Sequence, residues 1–515
     1  MSRNLLRWCL SLKTLTCFVF SLFISWGWFA TIPANAASSI QPYVDKVVER
    51  ITEFQLDNGM KFIVLENHEA PVISFVTYAD VGGVDEPDGK TGVAHFLEHL
   101  AFKGTEEIGT TNYRAEKRLL NRLDRLYDRI KAAETRGNQA EIEKLQEKFA
   151  KVQKKASEYV ISNQLGQIIE TAGGRGLNAA TSADATVYFY SLPANKLELW
   201  MSLESERFLE PVFREFYKEK QVILEERRLA VDNSPIGKTI EVFLDKAFTE
   251  HPYKRYVIGY DRDIRNLERR DVKKFFKSHY PPNNLTVAIA GDVDPDRVKT
   301  MAKTYFGRYS AQPQAPEVAI VEPPQTETKE FTLRLDSQPW YFEGYHRPSI
   351  TDPDHAVYEV ISSLLSDGRT SRLYKSLVEE KQVALAARGI SDFPGKKYPN
   401  LMLFYALTAP NSDVDNVAAA LNIEIDRLKN ESVSETELQR VKTNLRAGLL
   451  RSLDSNLGMA QSLVEYEALT GDWRNLFNQL DAIANVSQAD IQRVARSTFT
   501  PENRTIGKLL PSSSS

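Results

Sequence analysis

Prolines 313, 316, 323 and 324 crowd the stretch Gln312–Thr328, which has little apolar periodicity and therefore reads as an extended connector rather than a packed element. It divides the chain into residues 45–311 and 329–510, and each part alternates strand-like runs with long helical runs, including Ser434–Leu453 near the end. Two parts of similar size and pattern suggest a duplicated α+β unit. In the first part, Phe54-Gln55-Leu56 and Lys61–Leu65 flank the hairpin turn signal Asp57-Asn58-Gly59, a second β-rich run covers Pro71–Val81, and a helix follows from about Gly92 to Phe102.

The charged region Ala115–Ala156 breaks that rhythm. Leu119, Leu123, Leu126, Ile130 and Ala133 step by fours and threes, Arg136-Gly137-Asn138 interrupts, and Ile142, Leu145, Phe149, Val152 and Ala156 resume the stripe. The pattern predicts an antiparallel helical hairpin inserted over 113–165, with arms of roughly 30 Å. A solvated insertion, a docking arm for a partner and a gate over a cleft all fit it.

With 65 Lys+Arg against 69 Asp+Glu, the chain shows no basic footprint and gives no reason to invoke nucleic acid as a partner. Its only cysteines, Cys9 and Cys17, fall in a segment that reads as a secretory signal peptide, residues 1–36: Arg3, Arg7 and Lys13, an apolar stretch Cys17–Ala30, then the small-x-small site Ala34-Asn35-Ala36. The expected product is exported, periplasmic or secreted, with no stable membrane span after processing; an uncleaved anchor is the alternative. Without a cysteine in the mature chain, a metal site must use histidine and carboxylate.

Two of the seven histidines lie four apart in Gly92-Val93-Ala94-His95-Phe96-Leu97-Glu98-His99. On a helix, His95 and His99 share one face and Glu98 stands beside them, so two imidazoles could hold one ion with a carboxylate at hand; a polar helix surface is the bland alternative. The order His-x-x-Glu-His is the inverzincin pattern. A catalytic zinc needs a third ligand, and the best source is the helical run Phe216–Leu229, where Glu219 and Glu226 interrupt an apolar face, while Glu225 is turned toward arginine or solvent. A charged surface helix with accidental spacing also fits. The site reading takes Glu226 as ligand and Glu219 as its neighbour.

Gly92–Thr105 closely resembles the active-site helix of the pitrilysin/insulinase metallopeptidases, especially the mitochondrial-processing-peptidase-like branch. Leu177-Asn178-Ala179-Ala180-Thr181-Ser182, Glu219–Glu226, His251-Pro252-Tyr253 and Tyr280-Pro281-Pro282-Asn283-Asn284 continue the resemblance in order. It implies two homologous α/β-sandwich domains, mostly antiparallel sheet with helices on one face. It further implies one Zn²⁺ held by His95, His99 and Glu226, with Glu98 as general base and Glu219 in support, and it lays a peptide substrate along the strand of Asn178 and Ala179. That strand, near Gly173, Gly174 and Gly176, could align a peptide by strand addition or be an ordinary sheet strand.

Two departures stand out. Glu226 follows His99 by 127 residues (226 minus 99), longer than is usual in the family, and the hairpin accounts for the excess. In the second half the family's substrate-contacting Arg and Tyr are replaced by Val378 and Leu385, neither able to donate a side-chain hydrogen bond. Nor does His355 with Glu359 rebuild a metal helix. A homologous subunit lacking zinc ligands is therefore the expected partner of a zinc endopeptidase. A catalytically silent structural or peptide-binding subunit is the alternative. His68, His251, His279 and His346 read as structural.

Overall fold

The turn Asp57-Asn58-Gly59 folds β1 (Ile51–Gln55) back on β2 (Lys61–Glu66) as an antiparallel hairpin. With β3 (Val72–Ala79), β4 (Arg175–Thr181), β5 (Thr186–Pro193) and β6 (Leu285–Gly291) these strands form one sheet, ordered β1-β2-β6-β3-β5-β4. β2 and β6 are parallel and the other pairs antiparallel. This computed structural model describes residues 41–209 and 211–512. The signal-peptide reading, with both cysteines, lies outside the described residues.

Residues 310–328 carry no helix or strand. Beyond them, β7 (Lys329–Leu335), β8 (Trp340–Arg347), β9 (Ala384–Phe393), β10 (Asn400–Thr408) and β11 (Arg504–Pro511) form a second sheet, ordered β7-β11-β8-β10-β9. Only β7 and β11 run parallel. Removing β1 from the first sheet leaves the same order and the same directions, strand for strand: the unit is duplicated.

Central strands of both sheets are buried along most of their length, whereas the edge strands β4 and β7 are largely open to solvent. Burial on both faces requires cover on both faces, and the second cover comes from the other half. Helix Asn456–Thr470 of the second half lies on β3 and β6, while helix Pro235–Ala247 of the first half lies on β11. Gly344 of β8 and Gly507 of β11 make room for Phe243 of that helix; a Cβ on either would stand about 3 Å from its ring.

The hairpin is present as helices Tyr113–Thr135 and Gln139–Ser157, joined at Arg136-Gly137-Asn138. Asn112 and Asn138 cap them through their side chains. Leu119 is only half-buried, whereas Leu120 beside it is buried together with Leu123, Leu126, Ile130 and Ala133. Among the described residues, no helix is long and apolar enough to cross a membrane.

Candidate metal centre

The motif helix, Val93–Ala101, starts at Gly92 in a left-handed conformation (φ 86°). Its first amides are satisfied by Glu86, whose two oxygens accept from the N–H groups of Gly92 and Ala94, both at 2.8 Å. Burial pushes the Glu86 carboxyl up to about 8 against those two bonds. Val93, Ala94, Phe96, Leu97 and Leu100 face the core, which leaves His95, Glu98 and His99 on the open side. Phe96 stacks on Phe216 at 4.6 Å between ring centroids, fastening this helix to the one that carries Glu219 and Glu226.

One nitrogen from each of His95 and His99 and one oxygen of Glu226 lie within 4.8 Å of one another, the one such group of three among the described residues. His95 Nε2 stands 3.7 Å from Glu226 Oε1, and His99 Nε2 stands 3.6 Å from Glu226 Oε2. The imidazoles are mostly buried and meet edge to face at 4.8 Å. Glu219 Oε2 lies 3.4 Å from His99 Nδ1, while its other oxygen accepts from Lys103 Nζ at 2.5 Å. Glu225 instead pairs with Arg228 on the exposed face.

The environment separates the two imidazoles. Burial and then the neighbouring His99 lower His95 to about 4. Burial also works to lower His99, but the Glu219 hydrogen bond and the charges of Glu226 and Glu98 more than offset it and raise the group. Glu98 is raised by burial, opposed by a 2.6 Å hydrogen bond from Thr181 Oγ1. Burial would raise Glu219, yet its bonds from His99 and Lys103 hold it below the ordinary carboxylate range.

Thr181 and Lys103 were not singled out by the sequence reading, although both lie inside the motifs quoted there. β4 is a sheet edge, paired only with β5. Asn178 is exposed on it and accepts its own neighbour's amide, Ala179 N–H, at 2.9 Å, while the Ala179 side chain faces the core. A cavity of about 430 Å³ opens beside Glu98 and His99, walled by Phe102, Lys103, Ile161, Leu165 and Lys218.

The second half repeats part of this arrangement. Helix His355–Ser366 presents Glu359 to the Ser391 hydroxyl of β9, as the motif helix presents Glu98 to Thr181 of β4. With Glu359 set against Glu98, Ala356 and Val360 fall where His95 and His99 stand, so neither position offers an imidazole. Val378 packs against the second core, and Leu385 is exposed at the start of β9. His251, His279 and His346 are structural, bonded to or receiving bonds from backbone groups, and His68 pairs with Asp292 at 2.7 Å.

The family model described as insulinase (peptidase family M16) matches residues 61–140 and 150–260, and that described as the M16 inactive domain matches 266–445. The gap at 141–149 falls in the hairpin. The zinc protease PqqE of Helicobacter pylori is 28% identical, over 93% of this chain and 96% of its own. A probable mitochondrial-processing peptidase subunit beta of Arabidopsis thaliana is 23% identical, over 88% of this chain and 77% of its own. Among solved structures, a protease from Helicobacter pylori superposes with a TM-score of 0.76 at 26% identity, covering 90% of this chain and 99% of that one. The periplasmic protease PqqL of Escherichia coli shares the fold, with a TM-score of 0.66 at 17% identity, over 90% of this chain and 48% of that one. Motif, duplicated topology and both family models agree: the chain belongs to the insulinase (M16) family of peptidases.

Proposed function

We propose that the protein is a zinc endopeptidase acting on extended peptide segments, with His95, His99 and Glu226 as ligands and Glu98 as general base. The observation that carries this reading is the convergence of those three donors beside Glu98. Their 3.6–3.7 Å separations are too long for hydrogen bonds. With one atom taken from each side chain, the three donors lie within 4.8 Å of one another, near enough for a single ion to draw them together. Two imidazole nitrogens and one carboxylate oxygen also make a usual catalytic zinc donor set, which leaves a position open. Glu219 then acts on His99 from behind, fixing its orientation through Nδ1.

A zinc ion held by His95, His99 and Glu226 would supply water acidification and carbonyl polarisation. Glu98, raised by burial and held by Thr181, is the group placed to take a proton from an attacking water and to return it to the leaving amine. The free edge of β4 aligns the peptide through main-chain bonds beside Asn178 and Ala179, and the cavity beside Phe102 receives a substrate side chain. Such a site selects unfolded segments.

Val378 and Leu385 leave the second half without donors for substrate, so a homologous subunit lacking zinc ligands supplies them. The Arabidopsis relative is named as a subunit, and the Escherichia coli chain is about twice the length that this chain matches; both support pairing of such units. The periplasmic neighbour and the leader-like residues 1–36 support export.

Exchanging Glu98 for Gln preserves shape but removes the proton acceptor. Glu98→Gln should lower peptide hydrolysis by about 10²–10⁴-fold while zinc content stays at one per chain. Digestion of a peptide mixture, read by mass spectrometry beside a metal assay, decides it: a variant that keeps most of its activity overturns the base assignment, and a native protein with neither zinc nor turnover overturns the reading as a whole.

A further inference from the structure

The helix that carries Glu219 and Glu226 is gripped from behind by the inserted hairpin. Phe216, Glu219, Ile223 and Glu226 share the face that looks toward the motif helix; Tyr217 and Lys220 lie about 100° further round, where the hairpin sits. Lys220 is 4% exposed. It donates to the Tyr127 hydroxyl of the first hairpin helix at 2.9 Å, and to the carbonyls of Arg265 and Leu267 at 3.0 and 2.6 Å. Its nitrogen also stands 4.4 Å from the centroid of the Tyr127 ring. Tyr127 in turn donates to the Arg265 carbonyl at 2.8 Å. The hairpin, the Glu226 helix and the C-terminal end of helix Asp261–Asn266 therefore meet at one knot.

A second tie lies one turn earlier. Tyr217 donates to Asp124 of the hairpin at 3.1 Å, and Arg269 holds the same carboxylate at 2.6 Å. Phe149, from the second hairpin helix, closes on Tyr217 edge to face at 4.9 Å. Burying an ammonium is costly unless its donors are met, and here three acceptors and an aromatic face meet them. A solvated insertion would need none of this. Because a helix is stiff along its axis, holding Tyr217 and Lys220 also holds Glu219 beside them and Glu226 six residues beyond.

We propose that the hairpin is a positioning device for the metal-bearing helix: Tyr127 and Asp124, acting through Lys220 and Tyr217, set where Glu226 stands opposite His95 and His99. The proposal rests on the zinc reading above, and its test separates the two. Tyr127→Phe combined with Asp124→Ala removes the hydrogen bond of each tie and keeps every ring; Arg136→Ala, at the exposed tip, leaves both in place. Zinc affinity of the full chain, by competition with a chromophoric chelator well below the unfolding midpoint of every variant, should weaken about tenfold in the double variant and stay native in Arg136→Ala. The Tyr127→Phe and Lys220→Met effects should not add, since each breaks the same tie. A double variant that binds zinc as tightly as native overturns the positioning role, even with a lowered midpoint, because a purely structural brace would move the midpoint alone. If the double variant does not fold, Tyr127→Phe alone, which removes one oxygen, is read by the same criterion. A native chain that binds no zinc overturns both the proposal and the reading beneath it.

Discussion

The His95 and His99 imidazoles sit in opposite protonation regimes although they are four residues apart. His95, lowered to about 4 by burial and by His99, is neutral through the whole mildly acidic range. His99 is raised, because Glu219, Glu226 and Glu98 together outweigh its burial, so below its raised value it carries a proton that a metal must displace. Zinc binding should therefore release about one proton from the histidine pair between pH 4 and the titration of His99, and affinity should rise about tenfold per pH unit there. Calorimetry at pH 5.5–6 in buffers of different ionisation enthalpy measures that release directly; two protons would show that His95 is not held neutral, and none that His99 is lowered rather than raised. His95, Glu98, His99 and Glu226 were legible as candidates because a shared helix face, an interrupted apolar stripe and the family resemblance all point to them. Thr181 was not, since its bond to Glu98 spans 83 residues and exists only once β4 lies beside the motif helix. Lys103 escaped for the same reason: its partners Glu215 and Glu219 come from another helix.

Among the elements, the motif helix depends on how it begins. Gly92 holds φ at 86°, and a Cβ there would lie 2.6 Å from the Ile258 carbonyl oxygen. Alanine at this position combines left-handed strain with a backbone clash, and relief of either pulls the Gly92 amide from Glu86. Gly92→Ala should thus destabilise the fold by about 1–3 kcal/mol and weaken zinc binding with it, since the helix start is only three residues from His95. Thermal unfolding with and without zinc checks this; an unchanged midpoint would mean that the turn absorbs the methyl group freely. The hairpin illustrates what periodicity can and cannot reveal about an element. Its stripe showed two helices and their turn, because the pairing of two adjacent helices is a local matter. Its docking on Tyr217 and Lys220 was hidden, since that contact face belongs to a helix some sixty residues further on.

At the scale of the whole molecule, the proline-rich connector and the similar halves suggested duplication, and the matching strand orders establish it. The exchange of covering helices had no signal in the sequence: nothing in Asn456–Thr470 marks it as the lid of a sheet built from residues 51–291. That exchange makes the halves mutually dependent. Besides the two helices, Lys397 Nζ reaches Asp80 at 2.7 Å, the backbone amide of Lys396 donates to buried Asp184 at 2.6 Å, and Lys61 pairs with Glu467. Separated, the first half would expose the apolar faces of β3 and β6, and the second would expose the depression that receives Phe243. Exposed sheet faces of that extent favour aggregation over a stable fold. Residues 46–311 produced alone should be aggregated and should bind no zinc, whereas co-production with 329–512 should restore a soluble complex that does. Size-exclusion chromatography with metal analysis distinguishes the cases. A monomeric, cooperatively folded first half carrying zinc would show that the exchanged helices only decorate two independent units, and metal binding would then owe nothing to the second half.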